Sequence, residues 1–579
     1  MFKLLKQCLR GGDRKFAIIA PIFVAMEVLF DIFIPVVMAK IIDVGIGDIE
    51  NGGIAYIVKM GIFMVLLAGC ALLCGVFSSK CSSRASAGFA KGLRDKMFDR
   101  IQQYSFSNID KFSTASLVTR LTTDVHNVRI AFMMSLRLLF RAPIMLVSTT
   151  IMAISINKDL AVVFLVAIPI LGVALYFIAS RTYPKFLRML KKYDKLNLDI
   201  QENLTGIRVV KSFVRGDYEK AKFGNTAEEV REAQMSGQRI LAWNDPIFEL
   251  VMYGCMIAIA WLGGNFIIGG SMTTGEFMSY ISYIRQILMA LMLLTNVLVQ
   301  LVVSRASIER ISEVLDEEIG IKDLKKDSPL TVESGSIEFS DVCFSYGGKK
   351  DNLTLDHVNL TIKPGEMVGI IGGTGSAKTS LVQLIPRLYD VMSGEVKVGG
   401  HDVREYALDN LRGSVAMVLQ KNVLFSGTIR DNLKWGNADA TDEQIIEACK
   451  VASAHDFIMS FPEGYDTDLG QGGVNVSGGQ KQRLCIARAL LCSPKVIIMD
   501  DSTSAVDTAT DTQIRAALRD KLSGTTTIII AQRITSVSEA DKIIVMDEGK
   551  IIDVGTHEEL LSRNEIYQDL YHSQQKGVA

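Results

Sequence analysis

The fold of the second half of this chain is decided by one stretch, Gly372-Gly373-Thr374-Gly375-Ser376-Ala377-Lys378-Thr379. The apolar run before it, residues 367–371, is typical of a buried strand, and the residues from Ser380 onward are typical of a helix. A strand, a glycine-rich loop and a helix in this order predict a loop whose backbone N–H groups bind phosphate. Lys378 would reach the β- and γ-phosphates, and the Thr379 hydroxyl would ligate Mg²⁺.

One position departs from the usual form of this loop. Ala377 stands where glycine usually precedes the lysine. Because alanine carries a β-carbon, we expect φ at this position to be negative. The alternative interpretation of the stretch is a glycine-rich turn in an ordinary α/β domain.

Composition restricts the class of protein. The chain has 579 residues, long enough for more than two domains, and 49% of them are hydrophobic, with the apolar residues concentrated before residue 305. With 62 basic and 63 acidic residues, the net charge gives no indication of a nucleic-acid partner. The nine cysteines form no Cys-x-x-Cys pair, which favours a reduced cytosol over a disulfide framework. Residues 1–15 are basic and amphipathic, and we expect a cytosolic lead-in helix there.

The first half contains six apolar segments long enough to span a bilayer: 16–38, 54–77, 138–156, 160–178, 247–268 and 277–303. Two long basic connections, 78–137 and 180–246, and both termini are predicted to be cytosolic by the excess of positive charge. Helical patterns continue into these connections. We expect each connection to reverse direction at a short segment, 107–112 and 215–220. These segments would either dock on a neighbouring domain and transmit motion or form solvated hairpin tips.

Several ionisable or amide side chains fall within the predicted spans: Glu27, Asp31, Arg141, Glu249, Arg285, Asn296 and Gln300. Charges at bilayer depth are costly, so they should face a cavity or one another. Glu27 and Asp31 are four residues apart and share one helix face. One hypothesis is an acidic wall that binds cationic cargo, with Glu249, Asn296 and Gln300 as further candidates. The alternative is structural pairing, for instance with an arginine on another helix.

Apolar density falls after residue 305. The charged, turn-rich stretch 316–335 predicts a linker, so we expect a transmembrane domain over 1–315 and a nucleotide-binding domain over 336–579. Tyr346 follows an alternating strand pattern, and its ring would either stack on a purine or pack in the ordinary way.

Two further motifs follow the phosphate loop. The apolar run 496–499 ends in Asp500 and Asp501. Asp500 would hold Mg²⁺, and the next position normally carries the base that aligns the attacking water. Between the loop and these acids, Gly478-Gly479 at a helix start predicts a second anion-binding helix end.

With these motifs the chain resembles the ATP-binding-cassette exporters, specifically a half-transporter in which one membrane domain is fused to one ATPase domain. The distinctive set is Ser477-Gly478-Gly479-Gln480, its spacing to Asp500, and Ser504-Ala505-Val506-Asp507 just after it. The resemblance implies six long transmembrane helices and an α/β P-loop ATPase domain that uses ATP and Mg²⁺. It also implies that residues 372–380 hold the phosphates, and that segments 108–112 and 215–220 are coupling helices.

The resemblance assigns roles to individual residues. Tyr346 would stack on adenine, Gln420 would sense Mg²⁺ and face the membrane domain, and Asp507 would lie in the loop that crosses between two ATPase domains. In such exporters two ATPase domains meet head to tail, with ATP between one chain's phosphate loop and the other chain's signature, here residues 477–480. This arrangement agrees with the two predicted phosphate-binding helix starts of this chain, one after the glycine-rich loop and one at Gly478-Gly479.

Two departures from the family pattern concern catalysis. Asp501 stands where the family has glutamate, and Gln532 where it has histidine. Aspartate is one methylene shorter, and a general base must lie within hydrogen-bond reach of its water. Glutamine can donate a hydrogen bond but cannot carry positive charge. Gln471, where glutamate is frequent, concerns domain coupling instead.

We therefore expect a heterodimer. This chain's own phosphate loop would form a degenerate, slow site, and its intact signature would complete a competent site on a partner that has the glutamate and histidine. The alternative is a homodimer in which Asp501 suffices. The expected function is ATP-driven export of lipophilic, drug-like molecules across the cell membrane. Lipid or peptide export and an ATP-gated regulator without transport are the alternatives, and a soluble cassette ATPase acting on DNA or ribosomes is disfavoured by the six spans.

Overall fold

The computed structural model describes residues 2–9, 11–47, 53–323, 328–348, 352–501, 507–521 and 524–576. The chain divides into two compact units. The first comprises Met1–Gln102 and Thr114–Glu317, and the second comprises Gln103–Ser113 and Glu318–Ala579. The boundary between transmembrane region and linker predicted near residue 315 falls close to the end of the first unit.

The first half of the chain is helical in all of its described regular structure. In chain order the helices are α1 (Phe2–Cys8), α2 (Gly11–Lys40), α3 (Gly53–Gln102), α4 (Phe106–Phe112), α5 (Thr114–Thr119), α6 (Val125–Ile156), α7 (Ala161–Thr205), α8 (Ile207–Ser212), α9 (Gly216–Leu241), α10 (Asn244–Ile268) and α11 (Thr274–Asp316). π-Helical turns, Ile41–Ile46 and Arg120–Asp124, follow α2 and precede α6. Of these helices, α4 belongs to the second compact unit.

Six helical stretches are long and apolar enough to cross a membrane: Gly11–Ile46, Gly53–Gln102, Thr114–Ile156, Ala161–Thr205, Gly216–Ile268 and Thr274–Leu294. They confirm the six predicted spans. Large apolar side chains on them remain exposed, for example Val65 at 68% and Leu165 at 70%. Apolar surface of this extent is stable in lipid rather than in water.

The membrane helices continue well beyond the bilayer, as expected. Helix α3 has 50 residues, which at about 1.5 Å per residue is more than twice the roughly 30 Å of the hydrocarbon core. Helices α7 and α9 pack as an antiparallel pair. Lys192 Nζ lies 2.7 Å from Glu229 Oε2, and Asn203 Nδ2 donates to Glu219 Oε2 at 2.9 Å.

The second reversal lies earlier than predicted. Residues 206–215, which include α8, turn the chain between α7 and α9, whereas the predicted segment 215–220 forms the start of α9. Val214 has φ 53°, and the Arg215 N–H donates to the Val210 carbonyl at 2.9 Å. This is the left-handed end of a short helix, and it explains the shift because a left-handed residue terminates the helix before Gly216.

The second unit contains all the described strands. In chain order they are β1 (Ile337–Phe344), β2 (Leu355–Ile362), β3 (Met367–Gly372), β4 (Ser393–Val398), β5 (His401–Asp402), β6 (Val415–Val418), β7 (Gly427–Thr428), β8 (Asp468–Leu469), β9 (Val496–Asp500), β10 (Thr526–Ile530), β11 (Lys542–Asp547) and β12 (Lys550–Gly555). The order β12-β11-β3-β10-β9-β6 forms a mainly parallel sheet, and β2-β1-β4-β5 forms an antiparallel one.

Helices accompany these sheets, which confirms the predicted α/β class. They are α12 (Lys378–Gln383), α13 (Leu408–Ser414), α14 (Ile429–Leu433), α15 (Asp442–Val451), α16 (His455–Met459), α17 (Gly478–Leu491), α18 (Thr508–Lys521), α19 (His557–Arg563) and α20 (Glu565–Lys576).

The parallel sheet positions the candidate site. Its central strands are runs of apolar, mostly β-branched residues, and Ile497, Ile498 and Ile528 are fully buried. Such runs suit strands that are covered on both faces. Strands β3, β9 and β10 pair in parallel, so their carboxyl ends meet at one edge of the sheet. Ligands bind at this edge in open α/β sheets.

Candidate functional site

The glycine-rich loop joins β3 to α12 and has an open face. A β-carbon added to Gly373 or Gly375 would meet nothing within 4 Å, whereas one added to Gly372 would clash with the Met546 carbonyl oxygen. Lys378 Nζ donates to the carbonyls of Gly372 and Gly373 at 3.0 and 2.8 Å. The loop therefore offers room for phosphate on one side and packs closely against β11 on the other.

The expected backbone conformation of Ala377 is wrong. Ala377 has φ 68° and ψ 21°, which is the left-handed region. A β-carbon there costs about 1–2 kcal/mol, which glycine would avoid. The side chain is partly buried against the apolar cluster that includes Leu381. Apolar contact on this side offsets part of the strain, so the loop keeps its shape without glycine.

The residues predicted to hold Mg²⁺ meet at the end of β9. Thr379 Oγ1 donates to Asp500 Oδ1 at 3.1 Å. Asp500 is 2% exposed, and its burial raises the pKa of the carboxyl above the ordinary value. A hydroxyl and a carboxylate at contact distance are hard oxygen ligands of the kind Mg²⁺ requires. The donor set thus fits this ion, which when bound would supply positive charge against the phosphates of a nucleotide.

Asp501 is bonded by two glutamines. Its Oδ2 accepts from Gln532 Nε2 at 2.8 Å and, more weakly, from Gln420 Nε2 at 3.4 Å. Burial raises the pKa of the Asp501 carboxyl, and φ at this residue is 47°. The structure therefore brings together the two predicted catalytic positions and the predicted Mg²⁺-sensing glutamine, although they are far apart in sequence.

Tyr346 lies beside the phosphate loop. Its hydroxyl is 2.9 Å from Ser380 Oγ and donates to Gln383 Oε1 at 3.1 Å. Because these bonds fix the hydroxyl while half of the residue remains exposed, the ring can present a face to a purine.

Sequence reasoning did not identify Tyr389. Its ring packs edge-on against the Tyr346 ring, with centroids 5.1 Å apart. Its hydroxyl donates to Asp110 Oδ2 at 2.7 Å, and its ring lies 6.1 Å from that of Phe106. Asp110 and Phe106 belong to α4, the first predicted docking segment, which lies in the same compact unit as the sheets. The residues next to Tyr389 in the sequence form no recognisable motif, so the sequence alone provided no reason to select it.

The signature segment forms a capped helix start. Ser477 Oγ accepts from the Gln480 N–H at 3.3 Å, and Gln480 Oε1 accepts from the Ser477 N–H at 2.8 Å. This reciprocal pair is a capping box that orders the first turn of α17. Ser477 and Gly478 remain exposed and Gly479 is half-buried, so the helix start is accessible.

Asp507, the acid expected in the loop that crosses between two ATPase domains, forms two hydrogen bonds to Thr510. Its carboxylate accepts from the Thr510 N–H at 2.9 Å and from Thr510 Oγ1 at 2.8 Å. The bonds place Asp507 at the start of α18. The preceding residues of the motif, Ser504-Ala505-Val506, lie outside the described residues.

The acids in the first span pair with an arginine of the third. Arg141 binds Glu27 Oε1, and its second nitrogen lies 2.9 Å from Asp31 Oδ2. This is the structural pairing given above as the alternative to cargo binding. Glu249 is exposed, Gln300 is half-buried, and the side chain of Asn296 lies outside the described residues. A cargo role for these five residues stays a prediction.

Comparison with known proteins finds a matching family profile for each half of the chain. The profile described as ABC transporter transmembrane region matches residues 17–291, and the profile described as ABC transporter matches residues 355–504. An uncharacterised ABC transporter ATP-binding protein of Mycobacterium tuberculosis is 38% identical over 99% of this chain and 98% of its own length. An uncharacterised ABC transporter ATP-binding protein of Bacillus subtilis is 36% identical over 96% of both chains. An ATP-dependent lipid A-core flippase of Syntrophus aciditrophicus is 32% identical over 87% of this chain and 83% of its own.

A solved structure shares the fold. The structure of a bacterial Atm1-family ABC exporter with ATP bound matches 97% of this chain and 98% of its own, with a TM-score of 0.84 and 24% identity. The transmembrane profile, the ATPase profile and the relatives along nearly the whole length agree with the phosphate loop, signature and paired acids described above. This chain therefore belongs to the ABC transporter family, as a half-transporter of the exporter fold that joins one multi-pass transmembrane region to one ATP-binding domain.

Proposed function

We propose that this chain is one subunit of a heterodimeric ABC exporter in which its own phosphate loop forms a slow ATP site. Its signature, Ser477 to Gln480, completes the fast site of a partner half-transporter that has glutamate and histidine at the positions of Asp501 and Gln532. The observation that carries this proposal is the bond between the Asp501 carboxylate and Gln532 Nε2 at 2.8 Å.

The bond matters because position 501 is where the attacking water would be aligned. A carboxylate one methylene shorter than glutamate reaches less far from β9, and here one of its oxygens is occupied by an amide donor. A displacement of about 1 Å at a reacting group can cost roughly a hundredfold in rate. Gln532 can donate to a phosphate oxygen, but it carries no positive charge to stabilise the negative charge on the phosphate in the transition state. These features support ATP binding with slow hydrolysis.

The proposal that this chain completes the fast site of its partner depends on the intact signature, residues 477–480. The start of α17 is ordered by the capping box, and Ser477 and Gly478 are exposed. An exposed helix N-terminus is suited to the phosphates of a nucleotide on another chain. Nothing in the sequence of this segment departs from the family form, in contrast to positions 377, 501 and 532.

A route from nucleotide to membrane helices is supported by the aromatic contacts. Tyr346, which would stack on adenine, touches Tyr389, and Tyr389 bonds to Asp110 of α4. Helix α4 is connected to α3 and α5 by one or a few residues. Adenine binding would therefore fix the position of a coupling helix even where hydrolysis is slow. In this proposal ATP closes the two ATPase domains and turns the cargo cavity outward, and hydrolysis at the fast site resets it.

We further propose that the cargo is a lipophilic, drug-like molecule taken from the bilayer of the cell membrane, with both termini and the ATPase domain in the cytosol. The acids of the first span are less available to cationic cargo than free carboxylates would be, because Arg141 neutralises part of their charge. Relatives named lipid A-core flippases, 32% identical, favour an amphiphilic lipid as the second candidate. Peptide cargo and an ATP-gated regulator without transport are outcomes that the transport assay below distinguishes.

The decisive experiment compares ATP turnover of this chain purified alone with that of the complex recovered by co-purification from its native membranes. We expect the chain alone to bind ATP and turn it over slowly, and the complex to be fast and stimulated by cargo. Brisk turnover by the chain alone would exclude the proposal. Accumulation of lipophilic dyes or labelled lipids in inverted vesicles separates an exporter from a regulator.

A matched pair of serine variants tests the borrowed signature. Ser477→Ala in this chain should lower turnover of the complex by about a hundredfold, the cost of losing a donor to developing charge. Ser562→Ala changes an exposed serine of α19 in the same domain and should have no effect. Equal activity of both variants would show that the signature of this chain does not serve the fast site.

A further inference from the structure

A group of metal-ligating side chains lies on the antiparallel sheet, where β1 and β2 pair. One ligand atom each of Cys343, Asp356 and His357 lies within 4.8 Å of the other two. His357 Nδ1 is 2.6 Å from Asp341 Oδ1, and His357 Nε2 is 3.9 Å from Asp356 Oδ1. Three potential ligands of three chemical kinds, a thiol, an imidazole and a carboxylate, thus converge at one place, and Asp341 bonds the imidazole through Nδ1.

Irregular strand pairing brings these side chains together. The register of β1 against β2 shifts twice, between Phe339 and Val342 and between Val342 and Phe344. Asp341 and His357, one on each strand, both have φ 50°. Bulges of this kind redirect side chains that a regular ladder would place on opposite faces.

The supporting contacts resemble those around protein metal ions. Asp356 Oδ2 lies 3.0 Å from Lys550 Nζ of β12, which leaves Oδ1 on the side of His357. Cys343 Sγ accepts from the His357 N–H at 3.4 Å. Metal ligands are commonly oriented by such outer hydrogen bonds and ion pairs. The contacts would hold the carboxylate and the thiolate in place before an ion arrives.

Burial is graded across the group. Cys343 is only 5% exposed, whereas the side chains of His357 and Asp341 are 67% and 68% exposed. The sulfur is therefore shielded from solvent, while the imidazole, bonded to Asp341 through Nδ1, is open to an entering ion. A reachable entry path and a partly formed ligand set are both required of a metal site.

The ligand chemistry selects the ion. Mg²⁺ and Ca²⁺ prefer oxygen ligands only, so a set with a thiolate and an imidazole disfavours them. Zn²⁺ takes sulfur, nitrogen and carboxylate oxygen together in tetrahedral geometry, with ligand atoms about 3.5 Å apart. The ligand atoms of Cys343, Asp356 and His357 already lie within 4.8 Å of one another, close to that spacing. We propose that Cys343, Asp356 and His357 bind one Zn²⁺ ion per chain, with water as the fourth ligand and with Asp341 orienting the imidazole through Nδ1.

An ion bound at this position would stabilise the pairing of β1 with β2. It would join β1 to β2, and through Asp356 and Lys550 it lies next to β12 of the main sheet. Tyr346 follows three residues after Cys343 at the end of β1. The bound ion would therefore stiffen the strand that carries the adenine-stacking ring, without taking part in hydrolysis.

The test uses the full chain in lipid nanodiscs, with the affinity tag removed and metal stripped by a chelator. Zn²⁺ is measured by equilibrium dialysis, and Co²⁺ serves as a spectroscopic probe because a thiolate–Co²⁺ bond gives a charge-transfer band. We expect one tightly bound Zn²⁺ per chain and the thiolate band with Co²⁺. Cys343→Ser should abolish the band, and His357→Gln should weaken Zn²⁺ binding at least tenfold.

Further variants separate this site from others. Cys492→Ser, a half-buried cysteine of the same domain, should keep both signals, and Lys550→Ala should weaken Zn²⁺ binding about tenfold, as for loss of an outer contact. His357→Gln changes an exposed side chain, so misfolding would not explain its effect, and retained ATP binding checks this.

Two results would overturn the proposal. One is a wild-type chain that binds no Zn²⁺ at micromolar concentration. The other is Zn²⁺ binding that survives both Cys343→Ser and His357→Gln but is lost in Asp500→Asn, which would place the ion in the nucleotide site.

Discussion

Lengthening the acid at position 501 tests the central argument directly. Asp501→Glu adds one methylene, which moves the carboxylate outward from β9 by about 1.5 Å. In the native chain the Asp501 Oδ2 is held by Gln532 Nε2 at 2.8 Å. The longer side chain would extend past this amide toward the place of the attacking water. Because φ at residue 501 is 47°, a left-handed value that aspartate adopts more readily than glutamate, ATP binding is measured in parallel to show that the variant keeps the site intact.

The expected gain follows from the cost of misplacement. A displacement of about 1 Å costs roughly a hundredfold, and Gln532 still supplies no charge in the single variant. We therefore expect Asp501→Glu to raise turnover at this site by about ten- to a hundredfold, or about 1.4–2.7 kcal/mol in barrier height. Combining it with Gln532→His should raise turnover further, because a protonated histidine supplies the positive charge that glutamine lacks.

Single-turnover hydrolysis of labelled ATP by the chain alone in nanodiscs measures this step without product release. Asp501→Asn should remove residual hydrolysis while keeping ATP binding. Asp520→Glu makes the same chemical change at an exposed position of α18 and should leave the rate unchanged. If Asp501→Glu binds ATP normally and is no faster than the native chain, the length of this acid does not limit the site and the reasoning fails.

Three further variants probe the loop, the coupling contact and the membrane pairing. Ala377→Gly removes a β-carbon from a left-handed residue and should stabilise the ATPase domain by about 1 kcal/mol, seen as a higher melting temperature; a lower one would show that the apolar contact of the methyl group outweighs the strain. Tyr389→Phe deletes the 2.7 Å bond to Asp110 and should leave ATP affinity unchanged while lowering cargo-stimulated turnover; full stimulation would mean that this bond does not transmit the signal. Arg141→Met leaves two carboxylates unpaired among the membrane helices and should destabilise the folded protein by about 3–5 kcal/mol, measured by thermal unfolding in detergent, with the exposed Arg285→Met as the control; equal unfolding of the two variants would contradict the structural role of the pairing.

Local patterns in the sequence were sufficient to predict the six membrane spans and the α/β class of the ATPase domain. The six spans follow from apolar length alone, because a bilayer of fixed thickness imposes a minimum run of apolar residues. The strand before Gly372 and the acids after β9 follow from short apolar runs next to turn and charge signals. Each of these features depends on residues that are neighbours in the chain, so the linear pattern contains the information.

Other features depended on residues that meet only in the folded chain. The left-handed conformation of Ala377 is retained by packing against the apolar cluster around Leu381, which no local rule reports. The pairing of Arg141 with Glu27 and Asp31 joins helices more than a hundred residues apart in sequence.

The sequence by itself determined the membrane region, the ATPase domain and the identity of each motif, because those depend on periodicity and spacing. Only the tertiary structure decided which side chains bond to Asp501 and that Tyr389 contacts both Tyr346 and Asp110. A hydrogen bond forms between whichever groups packing brings within about 3 Å, and that distance is set by the whole sheet and its helices rather than by either residue's neighbours in the chain.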